Sequence, residues 1–182
     1  SKVLLVDNSG KKIWENTIGG ECWGLDISPD ASYVTAGCHD GKIYVWDKDG
    51  KKLWENSANQ QESDANTQQG TRIRWIKFSP DSNYILTGPV EKTAEKTGIY
   101  EANTGKLVWS FYTGDWLREG RFSADGKTAY LSSANGTIYS VNATDGSYKW
   151  LGNGFHIIPF MLGLSESKGT IISAGNGRAF TA

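Results

Sequence analysis

Short runs of β-branched, aromatic and other apolar residues alternate with turn residues along the whole chain. The runs are four to seven residues long and rich in Val, Ile, Tyr, Trp and Thr, and Gly, Asn, Asp, Ser and Pro separate them. Runs of this length and composition between turn residues are typical of β-strands. No stretch shows a sustained period of 3.6 residues, so we expect few helices. The pattern therefore predicts an all-β protein.

The runs recur in a fixed order, which is clearest between Gly98 and Asp125. There an apolar run, a glycine turn, a run that ends in Trp109 and a run that ends at Phe122 follow one another. One landmark of the repeat is a turn followed by tryptophan, at Trp14, Trp54, Trp109 and Trp150, with spacings of 40, 55 and 41 residues. The second landmark is an apolar residue followed by serine and a short turn, at Ile27, Phe78, Phe122 and Leu164.

A four-stranded antiparallel sheet that recurs about every 40 residues is the unit of a β-propeller. One such sheet cannot bury both of its faces alone, so copies must stack. We therefore predict a single β-propeller, or propeller segment, over residues 1–182, with about four blades of four strands each. The predicted blades span residues 22–55, 72–111 and 116–150, and residues 1–15 plus 155–182 form a partial blade.

The two ends of the chain fall at the same place in the repeat, since Ser1–Leu4 and Gly177–Phe180 both match the start of the third run. Open ends would expose sheet edges and apolar blade faces. We therefore expect either additional blades that belong to a larger ring, or a homodimer in which two chains complete one ring about a two-fold axis.

Each blade needs a tight turn between its first two strands. The segment Ser28-Pro-Asp30 predicts a type I turn with proline at its second position. Cys22 and Cys38 lie symmetrically about this turn. If Ile27 pairs with Tyr33, then Cys22 faces Cys38, so a cross-strand disulfide is geometrically feasible. Two small buried thiols are the alternative, and we regard them as the more common outcome.

The repeat resembles two known kinds of propeller repeat, and the resemblance covers the whole chain. Trp46-Asp47 matches the dipeptide of WD40 repeats, and residues 102–109, Ala-Asn-Thr-Gly-Lys-Leu-Val-Trp, match the tryptophan-docking repeats of PQQ-type propellers. Since PQQ-like propellers commonly act outside the cytoplasm, the resemblance implies an extracellular or periplasmic location. The glycosylation patterns Asn135-Gly-Thr137 and Asn142-Ala-Thr144 favour the same location.

Charge and hydropathy exclude some classes of partner. With 19 basic and 20 acidic residues, the chain has no overall field that would attract nucleic acid or an anionic membrane. No apolar run approaches the length of a membrane span. We therefore expect neither nucleic acid as a partner nor a membrane span.

Two insertions distinguish the repeats from one another, at residues 56–71 and 89–96. The first joins the last strand of one blade to the first strand of the next, and the second joins the second and third strands of a blade. In an antiparallel blade both loops emerge at the same edge. Long loops on a regular scaffold often carry binding, and tolerated variation of the surface is the alternative.

The strongest cluster of candidate residues lies at the starts of the first strands, beneath those loops. Aromatic residues interleaved with arginine are typical of interface hot spots. The candidate binding residues are Trp23, Arg72, Arg74, Trp75, Trp116, Arg118, Phe155 and His156. The alternative is that the tryptophans pack between blades and that the arginines pair with neighbours such as Asp115 and Glu119. The four repeat tryptophans, by contrast, recur at a fixed phase, so we predict structural docking between blades for Trp14, Trp54, Trp109 and Trp150.

The sequence predicts no catalytic residues, no metal site and no cofactor. The turns at Asp7 and Asp47 resemble calcium loops but lack the remaining ligands. His39 and His156 are the only histidines and do not make a metal triad. No Gly-x-Ser-x-Gly, phosphate-binding loop or adjacent cysteine pair is present.

Enzymatic activity is left open by these observations, and a non-enzymatic function is favoured. We predict a propeller scaffold that binds a protein partner, with a glycan as the second option, through the face that carries the two insertions. The alternative is a segment of a PQQ-type quinoprotein dehydrogenase or a related periplasmic PQQ-like propeller.

Overall fold

A computed structural model describes residues 1–57, 72–89, 97–152, 158–165, 167 and 169–176. In these ranges the chain forms sixteen β-strands and no α-helix. The all-β prediction is therefore confirmed.

Three complete blades have four antiparallel strands each, paired in chain order. Blade 1 consists of β3 (Cys22–Ile27), β4 (Tyr33–Cys38), β5 (Lys42–Asp47) and β6 (Lys52–Ser57). Blade 2 consists of β7 (Ile73–Phe78), β8 (Tyr84–Pro89), β9 (Thr97–Glu101) and β10 (Leu107–Phe111). Blade 3 consists of β11 (Leu117–Phe122), β12 (Thr128–Ser133), β13 (Ile138–Asn142) and β14 (Tyr148–Gly152).

Two smaller sheets accompany the three blades. Strand β1 (Lys2–Val6) pairs with β2 (Lys12–Thr17), and β15 (Ile158–Ser165) pairs with β16 (Thr170–Asn176). These two-stranded sheets do not pair with each other in the part of the chain that the structure describes, so the ring is not closed there. The four-stranded blades agree with the predicted propeller architecture.

The hydrophobic core lies between blades rather than within them. Ile43 and Val45 of blade 1 pack in one cluster with Ile73 and Ile76 of blade 2. A second cluster joins blades 2 and 3, and a third joins the sheet β1–β2 to blade 1. Each blade therefore buries its apolar faces only against its neighbours, as the repeat pattern predicts.

The turn between the first two strands has the predicted conformation. In blade 1 the Ala31 N–H donates to the Ser28 carbonyl at 2.8 Å, which closes a turn with Pro29 at its second position. The Ser28 hydroxyl accepts the Tyr33 N–H at 2.9 Å and donates to the Asp30 carboxylate at 2.6 Å. The residue after the aspartate has a positive φ in every complete blade: Ala31 at 57°, Ser82 at 63° and Gly126 at 70°.

The first strand of each complete blade carries a register shift after its first residue, and β15 carries one after its second residue. The shifts fall between Cys22 and Gly24, Ile73 and Trp75, Leu117 and Glu119, and Pro159 and Met161. A shift of this kind is a β-bulge, which leaves one residue unpaired and bends the strand. The residues that the ladder register skips are Trp23, Arg74, Arg118 and Phe160.

The bulge in blade 1 explains how the two cysteines meet. Ile27 pairs with Val34, and not with Tyr33 as the expected register had it. The extra residue at the bulge compensates for this one-residue difference, so Cys22 still lies opposite Cys38. The two cysteines form a disulfide with a Cα–Cα distance of 3.9 Å, so the expectation of two free thiols is wrong.

Candidate functional site

Three of the repeat tryptophans dock onto the following blade in the same way. The indole N–H of Trp14 donates to the Lys48 carbonyl at 3.1 Å. That of Trp54 donates to the Ala102 carbonyl, and that of Trp109 to the Ala143 carbonyl, both at 2.8 Å. The side chain of Trp150 lies outside the described residues. Each contact connects the last strand of one sheet to the turn between the third and fourth strands of the next.

Each docked indole packs closely against a glycine of that turn. A Cβ on Gly50 would lie 2.6 Å from the Trp14 ring, and one on Gly105 would lie 2.7 Å from the Trp54 ring. Both glycines also have a positive φ, of 83° and 72°. Glycine therefore meets two requirements at once, the left-handed backbone and the close approach of the ring.

An asparagine two residues after the tryptophan adds a second contact in two of the three junctions. Asn16 donates its amide N–H to the Gly50 carbonyl at 2.8 Å, and Asn56 donates to the Gly105 carbonyl at 2.5 Å. The sequence signal is the repeated triplet Trp-Glu-Asn at 14–16 and 54–56, which our sequence reasoning missed.

The bulge residues Trp23, Arg74 and Arg118 occupy the same position in blades 1, 2 and 3. They lie near the starts of β3, β7 and β11, which are the strands through which successive blades approach one another. We call these three residues the mouth. Bulges are frequent next to functional sites because they redirect a side chain. The structure thus brings three of the eight predicted binding residues to equivalent positions.

Trp23 is half exposed and is held in place by two neighbours. Its ring meets the His39 ring edge to face, with 3.9 Å between the ring centroids. Its indole N–H donates to a Glu21 carboxylate oxygen at 3.0 Å. Trp23 therefore offers a fixed apolar surface to solvent.

Arg118 lies over the ring of Trp116, with its guanidinium carbon 4.7 Å from the ring centroid. This is a cation–π geometry that orients the planar guanidinium. Burial lowers the pKa of Arg118, the positive charge of Arg74 lowers it further, and Asp115 acts in the opposite direction.

Trp116 contributes a donor as well as a ring. Its backbone N–H donates to the Asp115 carboxylate at 2.7 Å. Its indole nitrogen is buried and has no hydrogen-bond acceptor within the part of the chain that the structure describes.

Trp75 lies elsewhere, between blades 2 and 3. Its indole N–H donates to the Leu117 carbonyl at 3.4 Å, and its ring packs against Gly88 and Gly120. These are the contacts of the alternative interpretation, in which a tryptophan packs between blades. Adjacent residues Arg74 and Trp75 thus have different surroundings: Trp75 pairs with Gly88 in the ladder, whereas the ladder skips Arg74.

The other predicted binding residues are Arg72, Phe155 and His156, and the structure describes only the first of them. Arg72 precedes β7 and is half buried. Phe155 and His156 lie outside the described residues, as do residues 58–71 and 90–96 of the two insertions.

Two acidic residues of the first strands, Asp26 of β3 and Glu119 of β11, make contacts between blades. Asp26 accepts the Phe78 N–H at 2.8 Å, and Lys77 lies 3.7 Å from its other oxygen. Glu119 accepts the Leu162 N–H at 2.5 Å and pairs with Arg121 at 2.9 Å. These carboxylates therefore join successive blades.

The turns that resemble calcium loops use their carboxylates internally. Asp47 accepts the backbone N–H groups of Asp49 and Lys51, at 3.0 and 2.9 Å. Asp7 accepts those of Ser9 and Lys11 in the same manner. Among the described residues, no group of three His, Cys, Asp or Glu side chains is placed to hold a metal ion. Within the same ranges, no helix is long and apolar enough to span a membrane.

Two segments of the chain match families of known proteins. Residues 13–47 match the family described as WD domain, G-beta repeat, and include the Trp46-Asp47 dipeptide. Residues 94–164 match the family described as outer membrane protein assembly factor BamB, and include the docked Trp109.

Curated relatives match a larger share of the chain. The WD repeat-containing protein 26 homolog of Drosophila melanogaster is 27% identical over 121 residues, which cover 65% of this chain and 18% of the relative. The ciliary WD repeat-containing protein ctxp80 of Euplotoides octocarinatus is 25% identical over 157 residues, which cover 79% of this chain and 22% of the relative. The chain thus spans about a fifth of the length of these relatives.

Proposed function

We propose that this chain, which belongs to the family of WD40 and PQQ-like propeller repeats, is a non-enzymatic scaffold that binds a protein partner. The observation that carries the proposal is the mouth, where Trp23, Arg74 and Arg118 leave the sheet ladder at the same position of three blades. The similarity to WD repeat proteins supports an interaction role. Tryptophan and arginine dominate interface hot spots because they combine a large contact area with planar donors.

The proposed binding face is the one that carries the insertions at residues 56–71 and 89–96. The first insertion leads directly into β7 and thus to the mouth residue Arg74. Tyr112, in the connection between β10 and β11, adds an exposed aromatic ring to the same face. A rigid scaffold beneath variable loops is a common arrangement for binding.

Site-specific photo-crosslinking tests this face. A photoreactive phenylalanine analogue at Tyr112 reports contacts at the face, and the same analogue at Asp49 is the control. Asp49 is exposed in the turn between β5 and β6, at the opposite edge of blade 1. We expect protein adducts in the native cells from position 112 and none from position 49. Equal adducts from both positions, or adducts from position 49 alone, would contradict the proposed face.

A glycan is the second option for the partner, because the exposed ring of Trp23 suits stacking on a sugar. A glycan array with the wild-type chain and with Trp23→Ala tests this option. Binding that disappears in the variant would favour a glycan as the partner. An array without signal would exclude the tested glycans and favour a protein as the partner.

We propose that further strands complete the ring beside blade 1. Leu25 and Ile27 of β3 are 54% and 47% exposed, whereas their counterparts in β7, Ile76 and Phe78, are 1% and 7% exposed. An apolar strand face that is buried in one blade and exposed in another indicates a missing neighbour. Light scattering over a range of concentrations tests whether a second copy fills this place. A compact species that never associates would exclude the homodimer.

The alternative, a segment of a quinoprotein dehydrogenase, would need acidic and amide ligands for calcium and a quinone. The described residues do not supply such a donor group, since the innermost carboxylates Asp26 and Glu119 bind backbone N–H groups. Titration with PQQ and calcium tests it directly. A change in absorbance together with a rise in the unfolding temperature would favour the enzyme.

We also propose that the chain works in an oxidising compartment outside the cytoplasm. The Cys22–Cys38 disulfide and the match to an outer membrane assembly factor support this location. Alkylation of the native protein in acid-quenched cells, followed by mass spectrometry, tests it. Two alkylated cysteines would contradict the proposal.

A further inference from the structure

We infer that Asn142, at the turn between β13 and β14, carries an N-linked glycan, and that Asn135, at the turn between β12 and β13, does not. Both residues begin an Asn-x-Thr pattern, which is the recognition sequence for N-glycosylation. The inference goes beyond the proposed scaffold function and rests on the proposed location outside the cytoplasm. Three features carry it: the hydrogen bonds of the two side-chain amides, the exposure of the turn and its place in the blade.

Asn142 serves its turn with oxygen atoms alone. Its side-chain oxygen, Oδ1, accepts the Thr144 N–H at 2.8 Å, and its backbone carbonyl accepts the Gly146 N–H at 2.9 Å. Its amide nitrogen, Nδ2, makes no hydrogen bond within the part of the chain that the structure describes. The atom that receives the sugar therefore has no part in holding the turn.

The equivalent turns of other sheets need only an oxygen at this position. Asp7, between β1 and β2, accepts the Ser9 N–H at 2.9 Å, and Asp47, between β5 and β6, accepts the Asp49 N–H at 3.0 Å. Aspartate has no amide nitrogen, so these turns form with the oxygen acceptor alone. Asparagine at position 142 keeps this acceptor and adds a nitrogen to which a sugar can be attached.

The two residues that a glycosyltransferase recognises are accessible in the folded chain. Asn142 and Thr144 are exposed, whereas Ala143 between them is buried. The Ala143 carbonyl accepts the indole N–H of the docked Trp109, so this buried residue fixes the turn against blade 2. A bulky polar glycan on Asn142 would extend into solvent and leave the docked tryptophan in place.

Asn135 has the same sequence pattern in different surroundings. Although Asn135 is exposed, its Nδ2 atom donates to the Thr113 carbonyl at 3.2 Å. The Tyr139 hydroxyl donates to the same carbonyl at 3.1 Å, and Thr113 and Thr137 are buried. A sugar on this nitrogen would lie against the loop before β11 and compete with the contact that holds it. The structure therefore separates two patterns that are alike in sequence.

The place of the Asn142 turn in blade 3 also suits a glycan. This turn joins the third and fourth strands, as the β5–β6 turn does in blade 1. The insertions at residues 56–71 and 89–96 emerge at the opposite edge of the blades. A glycan on Asn142 would therefore leave the proposed binding face uncovered.

The modification is the transfer of an oligosaccharide from a lipid-linked sugar phosphate. The Nδ2 atom forms a bond to the anomeric carbon of the sugar and loses one proton. The bond between that carbon and a phosphate oxygen of the donor breaks, and the lipid phosphate leaves with the electron pair. A membrane-bound glycosyltransferase outside the cytoplasm supplies donor and catalysis, so this chain contributes only the acceptor.

Mass spectrometry of the protein purified from its native cells tests the inference. Trypsin cleaves after Lys127 and Lys149 and places both asparagines on one peptide, residues 128–149. Electron-transfer fragmentation of this peptide assigns a sugar to a single residue. We expect the peptide to carry the additional mass of one glycan on Asn142, with Asn135 unmodified.

Two variants expressed in the native cells remove the acceptor and the recognition hydroxyl separately. Asn142→Asp keeps the oxygen that the turn requires, as Asp47 does in blade 1, so the fold should be retained. This variant and Thr144→Ala should both lose the mass of the glycan completely. Thr144→Ser keeps a hydroxyl and Asn135→Asp removes only the other pattern, so these matched controls should retain it. Thermal unfolding of each variant checks the fold.

An unmodified peptide, or a sugar on any residue of this peptide other than Asn142, would overturn the inference. Oxidised cysteines together with an unmodified Asn142 would leave the proposed location standing and remove only the glycan. Reduced cysteines together with an unmodified Asn142 would contradict both. Photo-crosslinking at Tyr112 tests the scaffold function independently of the glycan.

Discussion

At the residue scale, the repeated tryptophan stabilises each of the three described junctions through one hydrogen bond and one close contact with a glycine. The Trp109 indole is 9% exposed and its N–H donates to the Ala143 carbonyl. The ring also lies against Gly146, where a Cβ would approach it to 3.0 Å. The contact needs both partners, because a side chain at the glycine would displace the ring.

Trp109→Phe should lower the free energy of unfolding by about 1 to 3 kcal/mol. Phenylalanine fills part of the site but leaves the Ala143 carbonyl without its donor, and an unsatisfied buried polar group has a cost of this size. Urea unfolding followed by circular dichroism measures the change. Trp23→Phe, at a half-exposed ring, should change stability by less than about 0.5 kcal/mol. Equal effects of the two substitutions would contradict the docking role.

Gly126→Ala should destabilise the protein by about 1 kcal/mol, because alanine is strained at a positive φ. A Cβ there would meet only Pro80 Cδ, at 3.6 Å, so the effect comes from the backbone and not from a clash. Ala31→Gly is the control at the same turn position of blade 1. It should be nearly neutral, since relief of strain is offset by the greater entropy of the unfolded chain. A neutral Gly126→Ala would show that these turns tolerate the strain.

At the element scale, the bulge in the first strand sets the surroundings of every residue near it. In β3 it places Cys22 opposite Cys38, and in β7 it leaves Arg74 out of the ladder while the Trp75 indole reaches the Leu117 carbonyl of the next blade. A one-residue change of register turns side chains to the opposite face of a sheet. The bulge is therefore the local feature on which both the disulfide and the mouth depend.

Reduction of the Cys22–Cys38 disulfide should lower the free energy of unfolding by about 3 kcal/mol, the entropy of a loop of this size in the unfolded chain. The two cysteines are 16 residues apart in sequence. Urea unfolding with and without a phosphine reductant measures the difference. The double variant Cys22→Ala/Cys38→Ala is the control and should not respond to the reductant. A wild-type midpoint that does not move would contradict the disulfide.

At the scale of the whole molecule, similar aspartate turns recur from blade to blade and link stability to pH. The Ser28 hydroxyl and then the Ser32 N–H hold the pKa of Asp30 well below its usual range. The Ser123 hydroxyl and then the Lys127 N–H lower the pKa of Asp125 in the equivalent turn of blade 3. In the folded state, the hydrogen bonds of each turn therefore stabilise the ionised form of its aspartate.

Stability should therefore fall as the pH drops below about 4, the usual range of an aspartate in an unfolded chain. Above that pH both states are ionised. As the pH falls, the unfolded state binds protons first, and the contribution of these turns is lost as the folded pKa is approached. Urea unfolding at several pH values measures this slope, and Asp30→Asn with Asp125→Asn should flatten it. A slope that the double variant leaves unchanged would contradict the assignment.

Several features could be predicted from the sequence because they depend on neighbouring residues along the chain. The type I turn at Ser28–Asp30 follows from the fixed φ of proline and from serine and aspartate side chains that bond nearby N–H groups. The strands follow from runs of β-branched and aromatic residues, and the blade repeat follows from their fixed order. The four-stranded sheets and the propeller family agree with this local information.

The candidate site was only partly predictable. The sequence placed Trp23, Arg74, Trp75 and Arg118 near the starts of the first strands, but it did not distinguish them. Their different surroundings depend on the ladder pairing of each first strand and on contacts with the next blade, such as that of the Trp75 indole with the Leu117 carbonyl. No run of neighbouring residues encodes such a contact between blades.

The sequence alone therefore determined the strands, the turns and the repeat, since local backbone preferences and apolar periodicity are written in consecutive residues. The tertiary structure alone decided the register of the first strands, the bond between Cys22 and Cys38, and the separation of Arg74 from Trp75. The register and the disulfide depend on how two strands of one blade pair, and the two cysteines are 16 residues apart in sequence. The surroundings of Trp75 depend on packing against Leu117 of the next blade, 42 residues further along the chain.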